Sequence, residues 1–315
     1  MYDCGTPLRF RAVPPSRTEF PAEAPAIGGR PEEINQPEVS VEIRLLGSLE
    51  VVSSSEERVE IGSAKQRELL ALLAAHAPRV VSTDRLIDGL WGGEGDHRRS
   101  LRFHVSKLRD AIDPGRQEQV IATEPPGYRL NLDRASLDVQ HFAALVAQAE
   151  ELAGHDLAEA SPLLEEALAL WRGPAYAEFE YADWARGEVV RLEELRLVAT
   201  EFSIDAELAR GCHAELVPNL ESLVVEHPLR GRFWHQLMVA LYRSGRQPDA
   251  LRAYRRACDA FAELGVVPSE DLERLETQIL MRDPTLDAAM SESAVGNLPA
   301  PLSNFVGREA EVVKV

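Results

Sequence analysis

Between positions 97 and 109 the chain places five lysines and arginines and no acid, in a sequence whose formal net charge is -18. Such a local reversal of sign is what binding a polyanion requires, because counterion release from phosphate needs cations gathered on one surface. At about 100° per residue, Leu101, Val105, Leu108 and Ile112 fall on one apolar stripe of a helix. The opposite face then holds Arg99, Arg102, Phe103, Ser106 and Lys107, with Arg98, His104 and Arg109 on its flanks. Arginine and lysine can read guanine edges, and an aromatic with no core to fill can pack on a thymine methyl in a major groove. Two observations weigh the other way. A basic helix face is most often merely solvated, and Asp110 lies on the outward face, which would confine contact to the first two turns.

Catalytic and metal constellations are missing from the sequence. His141, His155, His213, His227 and His235 form no HExxH spacing, and neither GxSxG nor a phosphate loop GxxxxGK[ST] occurs. Cys4, Cys212 and Cys258 are too far apart in sequence for a zinc pattern or a disulfide framework. No metal or cofactor is therefore expected. No apolar run of membrane length occurs and the amino terminus lacks a basic start with an apolar core, so a soluble, cytoplasmic protein is expected, nucleoid-associated on the reading that the basic helix binds DNA.

The elements that must position the basic helix read as strands, three helices and a hairpin. VSVEIRLLGSLEVV alternates Val41, Ile43 and Leu45 against Glu42 and Arg44, a half-buried strand turning at Gly47-Ser48, with Val59 and Ile61 suggesting a third strand. Lys65 to His76 reads as a helix stopping at Pro78, Ser82-Thr83-Asp84 caps a second helix ending at Gly92-Gly93, and Arg98 to Ile112 is the third. VIAT, the turn EPPG and YRLNL then predict a hairpin, from whose tip Arg129 could reach a neighbouring minor groove.

Residues 1–38 contain seven prolines and few large aliphatics, and are expected to form a disordered arm. Residues 39–133 are the expected DNA-binding unit. From about 138 to 285 the pattern is helical, broken at 154–156, 173–174, Gly211, 227–228, Gly245 and Gly265. A 34-residue offset superimposes Leu208 on Tyr242, Gly211 on Gly245, Leu216 on Ala250, Leu220 on Tyr254 and Leu223 on Ala257, the tetratricopeptide period, although Met238 stands where that repeat usually has a small residue. Trp171, Tyr176, Tyr181, Trp184 and Trp234 are read as seam fillers between helices rather than as a ligand pocket. Trp91 is read as closing the core, and Lys65 and Arg67 as solvated. Residues 286–315 read as a linker and the start of a further module.

IRLLGSLEV, KQRELLALLAAHAPRVVSTDRLIDGLWGGE, LRFHVSKLRDAI and IATEPPGYRL resemble the winged-helix domain of the Streptomyces antibiotic regulatory protein family, which is similar to OmpR-type effector domains. LEEALALWRGPAY, RGEVVRLEELRLVATE, LVVEHPLRGRFWHQLMVALYRSGRQPDALRAYR and LGVVPSEDLERLE resemble that family's bacterial transcriptional activator domain. The resemblance implies an α+β winged helix-turn-helix domain followed by an all-α tetratricopeptide-like domain. It implies activation of antibiotic-biosynthesis genes through promoter direct repeats bound head to tail by two protomers, spaced by about 10 to 11 base pairs. DNA-contact positions carried over are Arg99, Arg102, Phe103, Ser106, Lys107, Arg109 and Arg129. Many relatives have a shorter polar residue at the position of Arg102. RNA polymerase holoenzyme, through its sigma and alpha subunits, would meet the turn Gly92, Gly93, Glu94, Gly95 and Asp96, which reads equally as a plain connector. LPAPLSNFVGREAEV resembles the opening of a nucleotide-binding ATPase module found in larger family members. Two other readings stand beside this one: a protein-interaction scaffold built on the helical repeats, and an ATP-driven switch whose phosphate loop would lie beyond Val315.

Overall fold

The computed structural model describes residues 41–93, 95–116, 118–153 and 156–286. The proline-rich arm, Glu94 and the ATPase-like tail lie outside them. Strand β1 (Val41–Arg44) is central in a three-stranded sheet, antiparallel to β2 (Glu50–Ser53) and parallel to β6 (Ala135–Leu137). Its alternation puts Val41 and Ile43 inside, as the period of two predicts. The expected strand at Val59 and Ile61 is only an isolated pairing of Val52 with Arg58, although Ile61 is buried.

Helices α1 (Ala64–His76), α2 (Thr83–Trp91) and α3 (Arg98–Ile112) follow. Ser82 Oγ accepts from the Arg85 N–H, as expected of that cap, and Ser63 Oγ, not among the expected caps, accepts from the Gln66 N–H. Gly92 ends α2 in the left-handed region (φ 74°). The second sheet has the order β3 (Val81–Ser82), β5 (Gly127–Leu130), β4 (Ile121–Glu124), all antiparallel. The EPPG turn is tied down, since the Thr83 N–H and Oγ1 both donate to the Pro126 carbonyl.

The helical part comprises α4 (Asp138–Ala153), α5 (Leu157–Ala169), α6 (Asp183–Ala209), α7 (His213–Glu226), α8 (Gly231–Arg243), α9 (Gln247–Ala262) and α10 (Glu270–Met281). Helices α6–α7 and α8–α9 carry the 34-residue repeat down to their capping bonds. The Cys212 N–H donates to Glu207 O in the first pair and the Arg246 N–H to Leu241 O in the second. Trp171, Tyr176 and Trp234 are buried as expected, and Trp184 is half-buried; Tyr181 is instead 91% exposed, at the start of the connection into α6.

The two parts are joined by more than the link at 133–138. One continuous apolar core runs from Val41 to Ala199, taking in the winged part, α4, α5 and the first half of α6; a second begins at Ile204 and ends at Ile279. Main chain seals the junction: Arg172 N–H donates to Leu46 O, Tyr176 N–H to Leu45 O and Ala177 N–H to Gly47 O. Gly47 (φ 143°) allows this approach, because a Cβ there would lie 3.1 Å from Cβ of Arg172. Buried Asp138 accepts from the N–H groups of Leu45 (2.7 Å) and Leu46 (3.0 Å) and from Arg172 Nη2 (3.3 Å). Burial raises its pKa, and those three donors oppose the rise. Arg67, read as solvated, instead pairs with Glu178 and donates to Leu49 O, while Glu178 also accepts from the Leu49 N–H.

Candidate nucleic-acid interface

Helix α3 buries Leu101, Val105, Leu108 and Ile112 against α1 and α2, so its opposite face is set by the 3.6-residue period. Arg99, Arg102, Phe103 and Lys107 are exposed on that face; Phe103 is 57% exposed although aromatic. Among the described residues Arg99 and Arg102 form no ion pair, and both are free to meet a ligand. Arg98 pairs with Asp84 at 2.7 Å, at the exposed start of α2.

The other expected contacts stand differently. Arg109 points to the hairpin rather than to solvent: Nε donates to Ile121 O (2.9 Å), Nη2 to Thr123 Oγ1 (2.8 Å), and the guanidinium lies 5.8 Å from the Tyr128 ring centroid. Burial pushes its pKa below the ordinary arginine value. It braces α3 against the hairpin. Ser106 is half-buried and accepts from Arg116 Nη2 (2.9 Å), which also donates to Asp110 Oδ1 (2.6 Å). The Arg116 bond holds the Asp110 carboxyl below the usual aspartate range. Arg116, in the loop after α3, reaches this face only by folding back across the helix, a placement that helical periodicity does not carry.

In the hairpin, Arg129 donates from Nε (3.0 Å) and Nη2 (2.8 Å) to Glu124 Oε1. The pair lowers the pKa of Glu124 and raises that of Arg129. His104 is half-buried, 6.0 Å from the Trp91 ring, and burial together with Lys65 lowers its pKa. Trp91 stacks on His97 at 4.7 Å with an interplanar angle of 9°, closing the α2–α3 turn. Lys65 donates to Leu90 O and Glu68 and lies 6.0 Å from the Trp91 ring centroid, a structural rather than a solvated position.

Gly92, Gly93, Gly95 and Asp96 form the exposed α2–α3 turn, where Asp96 Oδ1 accepts from the Arg98 N–H at 3.2 Å. Among the described residues no group of His, Cys, Asp and Glu could hold a metal ion, and no helix is long and apolar enough to cross a membrane.

Residues 57–130 match the family described as transcriptional regulatory protein, C terminal, and residues 137–280 the bacterial transcriptional activator domain. Regulatory protein AfsR of Streptomyces coelicolor is 40% identical over 269 residues, which are 81% of this chain and 27% of AfsR. This chain therefore spans about a quarter of the length of that relative. Transcriptional regulator RedD of the same organism is 38% identical over 78% of this chain and 72% of its own, and regulatory protein DnrI of Streptomyces peucetius 34% over 78% and 94%. Among solved structures, Mycobacterium tuberculosis EmbR in complex with a low-affinity phosphopeptide superimposes with a TM-score of 0.72 at 32% identity, covering 79% of this chain and 69% of that one. With a winged domain whose third helix exposes its cations, a helical-repeat domain behind it, and near-full-length relatives in the same order, the chain belongs to the Streptomyces antibiotic regulatory protein family of transcriptional regulators.

Proposed function

We propose that α3 enters the major groove of promoter DNA and reads direct repeats through Arg99, Arg102, Phe103 and Lys107. The hairpin bearing Arg129 lies beside it at the adjacent minor groove. Two protomers occupy the repeats on one face of the duplex, the turn Gly92–Asp96 meets RNA polymerase, and the genes switched on belong to antibiotic biosynthesis. The observation that carries this reading is the exposed Phe103 with exposed Arg99 and Arg102 beside it, neither of them ion-paired among the described residues, on a face otherwise opposed to the core. Phosphate contacts position such a helix, and base edges supply its sequence preference.

Fluorescence anisotropy on direct-repeat and scrambled duplexes, across a salt series, tests it. The repeats should bind more tightly by orders of magnitude, and Arg102→Ala should lose about 1–3 kcal/mol more on the repeats than on scrambled DNA, where only one phosphate contact and about 0.9 of salt slope are lost. Equal, weak binding to both duplexes would instead favour a protein scaffold.

A further inference from the structure

Asp110 is the one acid on the outward face of α3 among its described residues, roughly 10 Å along the axis from Phe103 and in line with it. A carboxylate there faces the groove and is repelled by phosphate. It does not stand alone, however: Oδ1 takes Arg116 Nη2 at 2.6 Å, Oδ2 lies 3.8 Å from Lys107 Nζ, and Arg116 is fixed a second time on Ser106 Oγ at 2.9 Å. The side chains of Asp110 and Arg116 are both about half exposed, so the pair sits where DNA would close over it. An exposed ion pair contributes little to folding, and it gains nothing from burial here. Its effect falls on binding.

Resting on the reading that α3 enters the major groove, we propose that Asp110 is a specificity-determining residue that withholds Arg116 from phosphate on non-cognate DNA. While the pair is closed, the carboxylate cancels the guanidinium, and Arg116 adds no counterion-releasing contact. Arg116 leaves for phosphate most readily when another donor takes its place on Asp110, which Lys107 holds only at 3.8 Å. In the major groove that donor is a base amino group, cytosine N4 or adenine N6, and phosphates and carbonyl edges cannot substitute. Cognate DNA thus gains two contacts together, whereas non-cognate DNA gains neither.

The test measures Asp110→Asn, Arg116→Ala and the double variant against wild type, on direct-repeat and scrambled duplexes from 50 to 200 mM salt. As a charge control, Glu151→Gln removes an exposed acid from α4, away from this face. Asp110→Asn should bind scrambled DNA more tightly, with its salt slope steeper by about 0.9, an extra loss of about 3.5-fold across that range. Its preference for the repeats should fall by about tenfold, and base preference should relax at one position in each repeat. Arg116→Ala should weaken scrambled-DNA binding by exposing Asp110, and the double variant should return close to wild type there. The proposal is overturned if Asp110→Asn tightens both duplexes by one common factor, as the control would, or leaves the scrambled-DNA slope unchanged. If wild type itself shows no preference for the repeats, the DNA-binding reading fails first, and the two failures are distinct.

Discussion

Replacing Asp138 by alanine removes the acceptor that joins the first sheet to the helical part. The N–H groups of Leu45 and Leu46, both on fully buried residues, lose their partner, and no other described side chain accepts from them. Each buried donor left unsatisfied costs about 1–3 kcal/mol, so two cost about 2–6 kcal/mol. Arg172 limits the damage on its own side, because it keeps Glu50 at 3.1 Å and the Ser48 carbonyl at 3.2 Å. A loss of about 3–5 kcal/mol is expected, a large part of the about 5–15 kcal/mol that holds a typical domain. Urea unfolding followed by circular dichroism and by tryptophan fluorescence measures it; Trp171 and Trp184 report the first core and Trp234 the second. Asp138→Asn retains one acceptor oxygen and should recover roughly half the loss. A deficit below about 1 kcal/mol for alanine would refute the reasoning that this carboxylate holds the two parts together.

A fragment ending at residue 133 lacks β6 and Asp138, and should unfold at lower urea than a fragment ending near 200, which keeps the whole first core; equal midpoints would show that the winged part folds independently. Arg109→Ala should cost about 1–2 kcal/mol of stability through its lost bonds to Ile121 O and Thr123, and should weaken repeats and scrambled DNA alike, unlike Arg102→Ala; anisotropy with thermal melts separates the two. Burial and Arg232 depress the His235 pKa from 6.5 to about 4. The folded protein therefore refuses a proton that the unfolded chain accepts, so stability is complete above the ordinary value and falls as pH drops toward about 4. The ceiling set by that shift is about 3 kcal/mol, and the partial exposure of His235 lowers it further. His235→Gln should flatten that part of the stability–pH curve, and an unchanged curve would place the titration elsewhere.

What could be read from the sequence was whatever is carried by local periodicity. The stripe Leu101, Val105, Leu108 and Ile112 fixes the inner face of α3 before any tertiary contact is known, and the exposure of Phe103 follows from it. Gly211 and Gly245 announce their helix ends because a chain reversal after a helix needs that local conformation. The strand expected at Val59 and Ile61 shows the limit: the chain meets the free edge of β2 at Arg58, with the Val59 N–H donating to Val51 O, and then leaves it, so Ile61 is buried without a ladder to make a strand.

Charges were harder to read than hydrophobic positions for a related reason. A helical wheel gives the direction of a Cβ, but a guanidinium reaches several ångströms beyond it and goes to whichever acceptor the fold brings near. Arg109 and Arg102 differ little on the wheel, yet Arg109 finds the Ile121 carbonyl and Thr123 on the hairpin while Arg102 finds no partner among the described residues. Arg129 and Arg116 likewise meet Glu124 and Asp110. Seven cations in this region thus reduce, in the free protein, to Arg99, Arg102 and the loosely held Lys107 as charge ready for phosphate, with Arg98, Arg116 and Arg129 held by acids and Arg109 committed to the scaffold. About three contacts predict a salt slope near -2.7 on non-cognate DNA, and about five a slope near -4.5 once Arg116 and Arg129 transfer. A steeper slope on the repeats than on scrambled DNA is therefore the signature of that exchange, and equal slopes would mean that the paired arginines never leave their carboxylates.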